Sequence, residues 1–180
     1  FLQMHNSINP ATREFLKENF SSYLETKSLW TQAGGKASMI ADTHDAKTRW
    51  EDLFRKMDAG AIEPVKLIIG ALQSYPLNKT LLIELRNQLS EIDLNKARSF
   101  IALPNDDSII ELNQISTENA SAAVSIALTE SIEPNVLDEK HADGATQEFK
   151  KSFSRKAGEI VAVAGVSAWT QIFQGMISSL

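Results

Sequence analysis

Lys36–Asp58 reads KASMIADTHDAKTRWEDLFRKMD, and its apolar positions decide the fold class. Met39, Thr43, Ala46, Trp50, Leu53, Phe54 and Met57 fall within about 100° of arc on a helical projection, the stripe of an amphipathic α-helix. The alternation that marks a half-buried strand is missing. The helix is expected to run from Lys36 to Asp58 and to break at Gly60.

The same period recurs on both sides of this stretch. Upstream, Asn9-Pro10 is a helix start: Asn caps free N–H groups and Pro is tolerated in the first turn. Leu16, Phe20, Tyr23, Leu24 and Trp30 then share one broad face, and Gly34-Gly35 ends the element as a candidate hinge. Downstream, Glu63–Tyr75 carries Val65, Leu67, Ile68, Ile69, Ala71 and Leu72 with almost no polar side, which predicts a central helix stopped by Pro76. Asn78 can cap a fourth helix that buries Leu81, Leu82, Leu85, Leu89 and Ile92. Asp93 can cap a fifth, with Leu94, Ala97, Phe100 and Ile101 inward. Ser108–Ile115 is read as a short helix capped by Asp107, and Thr117–Ser131 as a helix rich in small residues. Residues 133–145 form an acidic loop, and Thr146 can cap a long final helix. Trp50 and Leu53 have the spacing that opens a tetratricopeptide repeat, but the residues that should follow are missing. The expected fold is all-α, a single globular bundle of roughly six to eight helices without a repeat, spanning residues 1–180.

Composition bounds the function. A chain of 180 residues with 43% hydrophobic content has enough apolar surface for a buried core. The absence of cysteine excludes a disulfide framework and a thiolate nucleophile. The first ten residues, FLQMHNSINP, show no basic segment followed by an apolar run, so no signal peptide is expected and a cytoplasmic location is. The net charge of −5 is unevenly spread. Residues 104–149 hold one basic residue, Lys140, against ten acids, a net of −9. Such a block repels phosphate, so nucleic acid is not an expected partner. It reads either as a solubilising face or as a docking face for a basic partner.

The residues that suggest chemistry are few. Metal-dependent phosphohydrolases of the HD type are helical and combine a His, a His-Asp pair and a distant Asp around a metal that activates water. His5, His44-Asp45 and Asp138 or Asp143 can be cast in those parts, which makes this enzyme the alternative reading. Facing argues against it. On the expected helix His44 and Asp45 point away from the apolar stripe. Asp45 shares its side with Asp42, Arg49, Asp52 and Lys56 in a solvated ladder, with Asp45 and Arg49 at i,i+4. His141 and Asp143 lie in the acidic loop without a calcium-loop pattern. Phosphate-binding glycine loops, a nucleophile elbow and the His-Glu-x-x-His zinc pattern are all missing. No catalytic residue, metal ligand or cofactor is therefore expected.

Ile160–Leu180, IVAVAGVSAWTQIFQGMISSL, has no charged residue in a chain that is 23% charged. Its length suffices for a membrane span, and Lys150, Lys151, Arg155 and Lys156 precede it. Yet Ser167, Thr170, Gln171, Gln174 and Ser178 gather on one side of the projection, opposite Val161, Gly165, Ala168, Trp169, Ile172, Phe173 and Met176. Two-sidedness of this kind disfavours lipid, and membrane association is kept as the second alternative. The apolar side fits the domain's own core. The other side is polar without charge, as interfaces are and solvated faces are not. Ser167, Thr170, Gln171, Gln174 and Ser178 are thus the expected partner-binding residues, for another protein or a second copy. The function expected is a non-enzymatic helical adaptor or regulatory domain.

Overall fold

The computed structural model describes residues 7–75, 78–132 and 142–164. Its helices are α1 (Pro10–Asn19), α2 (Tyr23–Gln32), α3 (Ala46–Asp58), α4 (Pro64–Ser74), α5 (Lys79–Asn87), α6 (Glu91–Ala102), α7 (Asp106–Asn113), α8 (Thr117–Ser131) and α9 (Ala142–Ala164). The fold is all-α without a repeat, and the described residues contain no strand. They gather into two compact units, residues 1–88 and residues 89–180.

In the first unit α1 packs on α3 and α5, α2 on α4, and α4 on α5. Asn9 caps α1 as its sequence implied, accepting from Ala11 N at 2.9 Å. The continuous helix read through Phe20 and Tyr23 is instead two helices. Ser22 and Glu25 form a reciprocal capping box that starts α2, and two free N–H groups satisfied together outweigh one more turn of α1. This break resets the register, so Leu24, expected inside, is 74% exposed. Gly34 and Gly60 close α2 and α3 with φ of 92° and 96°, backbone that glycine adopts without strain.

The helix expected from Lys36 begins only at Ala46. Ala37–Met39 is a single 3₁₀ turn, and the chain is irregular from Ile40 to Asp45. Asp45 explains the late start: its carboxylate accepts from Lys47 N at 3.3 Å and Thr48 N at 3.2 Å, so it closes the helix instead of continuing it. The rest of the stripe holds, with Trp50, Leu53, Phe54 and Met57 all fully buried. Trp50 stacks on Phe54 with ring centroids 5.3 Å apart. Arg13 lies over the Phe54 ring at 5.0 Å and pairs with Asp58 at 3.0 Å.

The central character of α4 is as expected: Val65, Leu67, Ile68, Gly70, Ala71 and Leu72 are buried. A Cβ at Gly70 would stand 2.8 Å from Leu29 Cδ1, so a side chain there would make the Leu29 tip shift. Asn78 caps α5 through Leu81 N at 3.1 Å.

In the second unit α6 packs on α7 and α8, α7 on α8, and α8 on α9. Ala120, Ala122, Ala123, Val124, Ile126, Ala127 and Leu128 form the buried face of α8. Arg98 of α6 reaches Glu130 of α8 at 2.9 Å, and this bond holds the guanidinium above its ordinary pKa. Three helix starts differ from expectation. Ser90, not Asp93, caps α6, because its hydroxyl reaches Asp93 N at 3.1 Å. The earlier start leaves Ile92, expected inside, 67% exposed. Asn105, not Asp107, caps α7 in a reciprocal pair with Ser108. α9 begins at Ala142, four residues before the Thr146 expected to cap it. Among the described residues no helix is long and apolar enough to cross a membrane.

Trp50 fills the centre of the first unit and donates to a backbone carbonyl (Phe20 O, 2.9 Å). Trp50→Ala is expected to lower unfolding free energy by about 3–5 kcal/mol through the cavity it leaves. Chemical denaturation checks this, and a loss below about 1 kcal/mol would show that the stripe is not core.

Candidate functional site

Of the residues the sequence singled out, Ser167, Thr170, Gln171, Gln174 and Ser178 lie outside the described residues, as do His5, Asp138 and His141. Asp143 falls within α9. His44 and Asp45 are described, and both are exposed. The two Asp45 oxygens are engaged by Lys47 N, Thr48 N and Thr48 Oγ1. The Thr48 hydroxyl, ahead of the backbone donors, holds this carboxyl below the ordinary aspartate value. Asp45 thus acts as the cap of α3. Among the described residues no three His, Asp or Glu side chains are placed to hold a metal together.

Arg49 corrects the expected ladder. It is 1% exposed and is not paired with Asp45. Its Nε donates to Thr26 Oγ1 at 3.1 Å, its Nη1 to Thr43 O at 2.6 Å, and its Nη2 to Ser21 O. With the helix started at Ala46, Arg49 lies one turn before Leu53, at the edge of the buried stripe. That position was the available signal. Each of its three nitrogens donates to a backbone or hydroxyl oxygen, so the guanidinium works as a clamp on the chain.

Glu84, which the sequence did not single out, is 3% exposed. Its Oε2 accepts from Asn9 N and Thr12 Oγ1, each at 3.1 Å, and its Oε1 from Gln88 Nε2 at 2.9 Å. All three donors are neutral, and the carboxylate stands at the N-terminus of α1, where negative charge is favoured.

An open depression of roughly 290 Å³ in the first unit is lined by Ala33, Gly34, Gly60, Ala61, Ile62, Glu63, Pro64 and Lys66. It lies where α2 and α3 end and α4 begins. Glu63 and Lys66 bring opposite charges to it, and the lining holds no histidine, hydroxyl or thiol.

The second unit offers a surface of another kind. Leu103 is 68% exposed and Ile110 is 57% exposed. Asp106, Asp107 and Glu111 are also exposed. No protein-family model matches this chain, and neither does any curated protein or solved structure.

Two outcomes follow from this geometry. Arg49→Met removes every donor from Ser21 O, Thr43 O and Thr26 Oγ1, and is expected to cost about 3 kcal/mol in chemical denaturation. A cost near zero would mean that the clamp is replaced by solvent. Asp45→Ala is expected to lower the melting temperature at neutral pH. Because the folded carboxyl titrates below its ordinary value of 3.8, its contribution is complete above that pH and is lost as pH falls through the folded pKa. The melting gap between wild type and variant therefore narrows in acid. A gap that widens below that value would contradict the capping role.

Proposed function

We propose that this chain is a non-enzymatic α-helical adaptor or regulatory domain that works by binding another protein. The observation that carries the reading is a set of large apolar side chains held in solvent: Leu24, Ile92, Leu103 and Ile110 are each more than half exposed. Each has a cost in water that contact with a partner removes. Among the described residues, three groups capable of chemistry are otherwise engaged. Arg49 and Glu84 are buried on backbone and hydroxyl partners, and Asp45 caps a helix. On a helical projection of the sequence, Ser167, Thr170, Gln171, Gln174 and Ser178 gather into an uncharged polar side, which supports the same reading because it resembles the polar part of an interface. Its partner is another protein or a second copy of the chain, in a cytoplasmic setting.

The test is affinity capture by the full chain from its native lysate, comparing wild type with Gln171→Glu plus Gln174→Lys. Unpaired charge at a contact is strongly unfavourable. The double variant is expected to keep the wild-type melting temperature and to hold the captured protein about tenfold more weakly. Failure of the wild-type chain to retain any specific protein would overturn the reading. Loss of fold in the variant would place those residues in a core.

A further inference from the structure

Trp30 and Trp50 are both fully buried, yet their indole N–H groups are placed differently. Trp50 Nε1 donates to Phe20 O at 2.9 Å. Trp30 Nε1 is buried without an acceptor among the described residues. A buried donor in that position keeps the full cost of having lost water. Any motion that brings an acceptor or solvent to this nitrogen recovers that cost.

Backbone rests against the nitrogen. A Cβ built on Gly35 would stand 2.2 Å from Nε1, 2.5 Å from Cε2 and 2.6 Å from Cδ1 of Trp30. Gly35 therefore lies on the N–H edge of the indole, in space that a side chain would need. Gly34, with φ of 92°, turns the chain out of α2, and Gly35 N donates back to Trp30 O at 3.0 Å. Lys36 then leads into the 3₁₀ turn Ala37–Met39. From Gly34 to Met39 no residue is buried, and Ile40 is the first that is. The segment is tied to α2 by Gly35 N on Trp30 O and to α3 by Lys56 Nζ on Met39 O. A segment with no buried side chain of its own has a low free energy of local opening. Here such a segment covers a donor that lacks a partner.

We propose that Gly35–Met39 is a strap that lifts from Trp30, between a hinge at Gly34 and the anchor at Ile40, while the rest of the first unit stays folded. The strap gates the indole N–H. Closed, it keeps the donor from water. Lifted, it presents an apolar ring edge and one hydrogen-bond donor to an incoming acceptor. The apolar edge uncovered by lifting keeps the closed state dominant. The orphan donor works the other way. Lifting gives up the Gly35 and Lys56 bonds, whose groups solvent then satisfies, whereas Nε1 gains a partner it lacks when closed. Trp50, bonded to Phe20 O, gains nothing from the same motion. The inference stands apart from the protein-binding reading and does not depend on it.

Hydrogen exchange followed by NMR on the full chain tests the strap, because the indole protons of Trp30 and Trp50 give separate signals. Trp30 Nε1–H is expected to exchange at least about tenfold faster than Trp50 Nε1–H, in step with the Gly35 amide. The amides of Ile68 and Ala71 in α4 are expected to stay as protected as Trp50. Mild urea should hasten exchange at Trp50 more steeply than at Trp30, since a local opening exposes less surface. Lys56→Met removes the tether on Met39 O and keeps an apolar stem. It is expected to speed exchange at Trp30 Nε1 and Gly35 N by about tenfold more and to leave Trp50 Nε1 unchanged. The wild-type comparison stands whether or not that variant is stable. Trp30 and Trp50 exchanging at one rate with one urea dependence would overturn the proposal, because the nitrogen would then open only with the whole unit. So would fast exchange at Trp30 beside a protected Gly35 amide, which would put the solvent path elsewhere. A folded Lys56→Met chain that exchanges at Trp30 like wild type would overturn it as well.

Discussion

The corner at Phe20–Ser22 is the constraint on which the first unit depends. A helix that ends leaves carbonyls without intrahelical partners, and a buried carbonyl without a donor is costly. Here the donors come from α3. Trp50 Nε1 reaches Phe20 O at 2.9 Å, and Arg49 Nη2 reaches Ser21 O. Thr26 Oγ1 lies 3.0 Å from Phe20 O and 2.9 Å from Ser22 O, and it accepts from Arg49 Nε. The same guanidinium holds Thr43 O in the irregular segment before α3. One side chain thus fixes the turn between α1 and α2 and the approach to α3.

The two buried charges among the described residues of this unit serve α1 at opposite ends. Glu84 stands at its N-terminus and accepts from Asn9 N and Thr12 Oγ1. Arg49 stands beyond its C-terminus, on the carbonyl of Ser21. Each sign matches the pole of the helix dipole it faces. An ion pair between the two would have put a charged bond in the core with uncertain net gain. Placing each on peptide groups gives it several hydrogen bonds and satisfies backbone that folding would otherwise bury unpaired. This arrangement is why polar residues inside the unit need no catalytic explanation.

The surface follows a different rule. Charges of α1 and α3 meet across the first unit, Lys17 with Glu51 and Arg13 with Asp58, so that face is electrostatically closed. The α7 face lacks such partners among the described residues and exposes Ile110 where a solvated helix would be polar. An interaction surface is a place where the usual segregation of apolar and polar groups fails without an internal reason.

Helical class, the central role of α4 and the buried stripe of α3 were legible in the sequence, because a period of 3.6 residues is a local property of the chain. Caps were legible where a single side chain decides them, as at Asn9 and Asn78. They were misplaced where two candidates compete, as between Ser90 and Asp93, or where a reciprocal box such as Ser22–Glu25 interrupts an apolar pattern that continues past it. The roles of Arg49 and Glu84 came only from tertiary structure. Their partners are backbone atoms and hydroxyls of other segments, 28 residues away for Ser21 and 75 for Asn9. A carbonyl looks the same at every position of a sequence, so no pattern of side chains announces which one will be left unpaired in a core. The sequence determined the helical class and the strongest apolar stripes, which are local properties; the packed chain decided where α2 and α3 begin and which backbone atoms Arg49 and Glu84 satisfy.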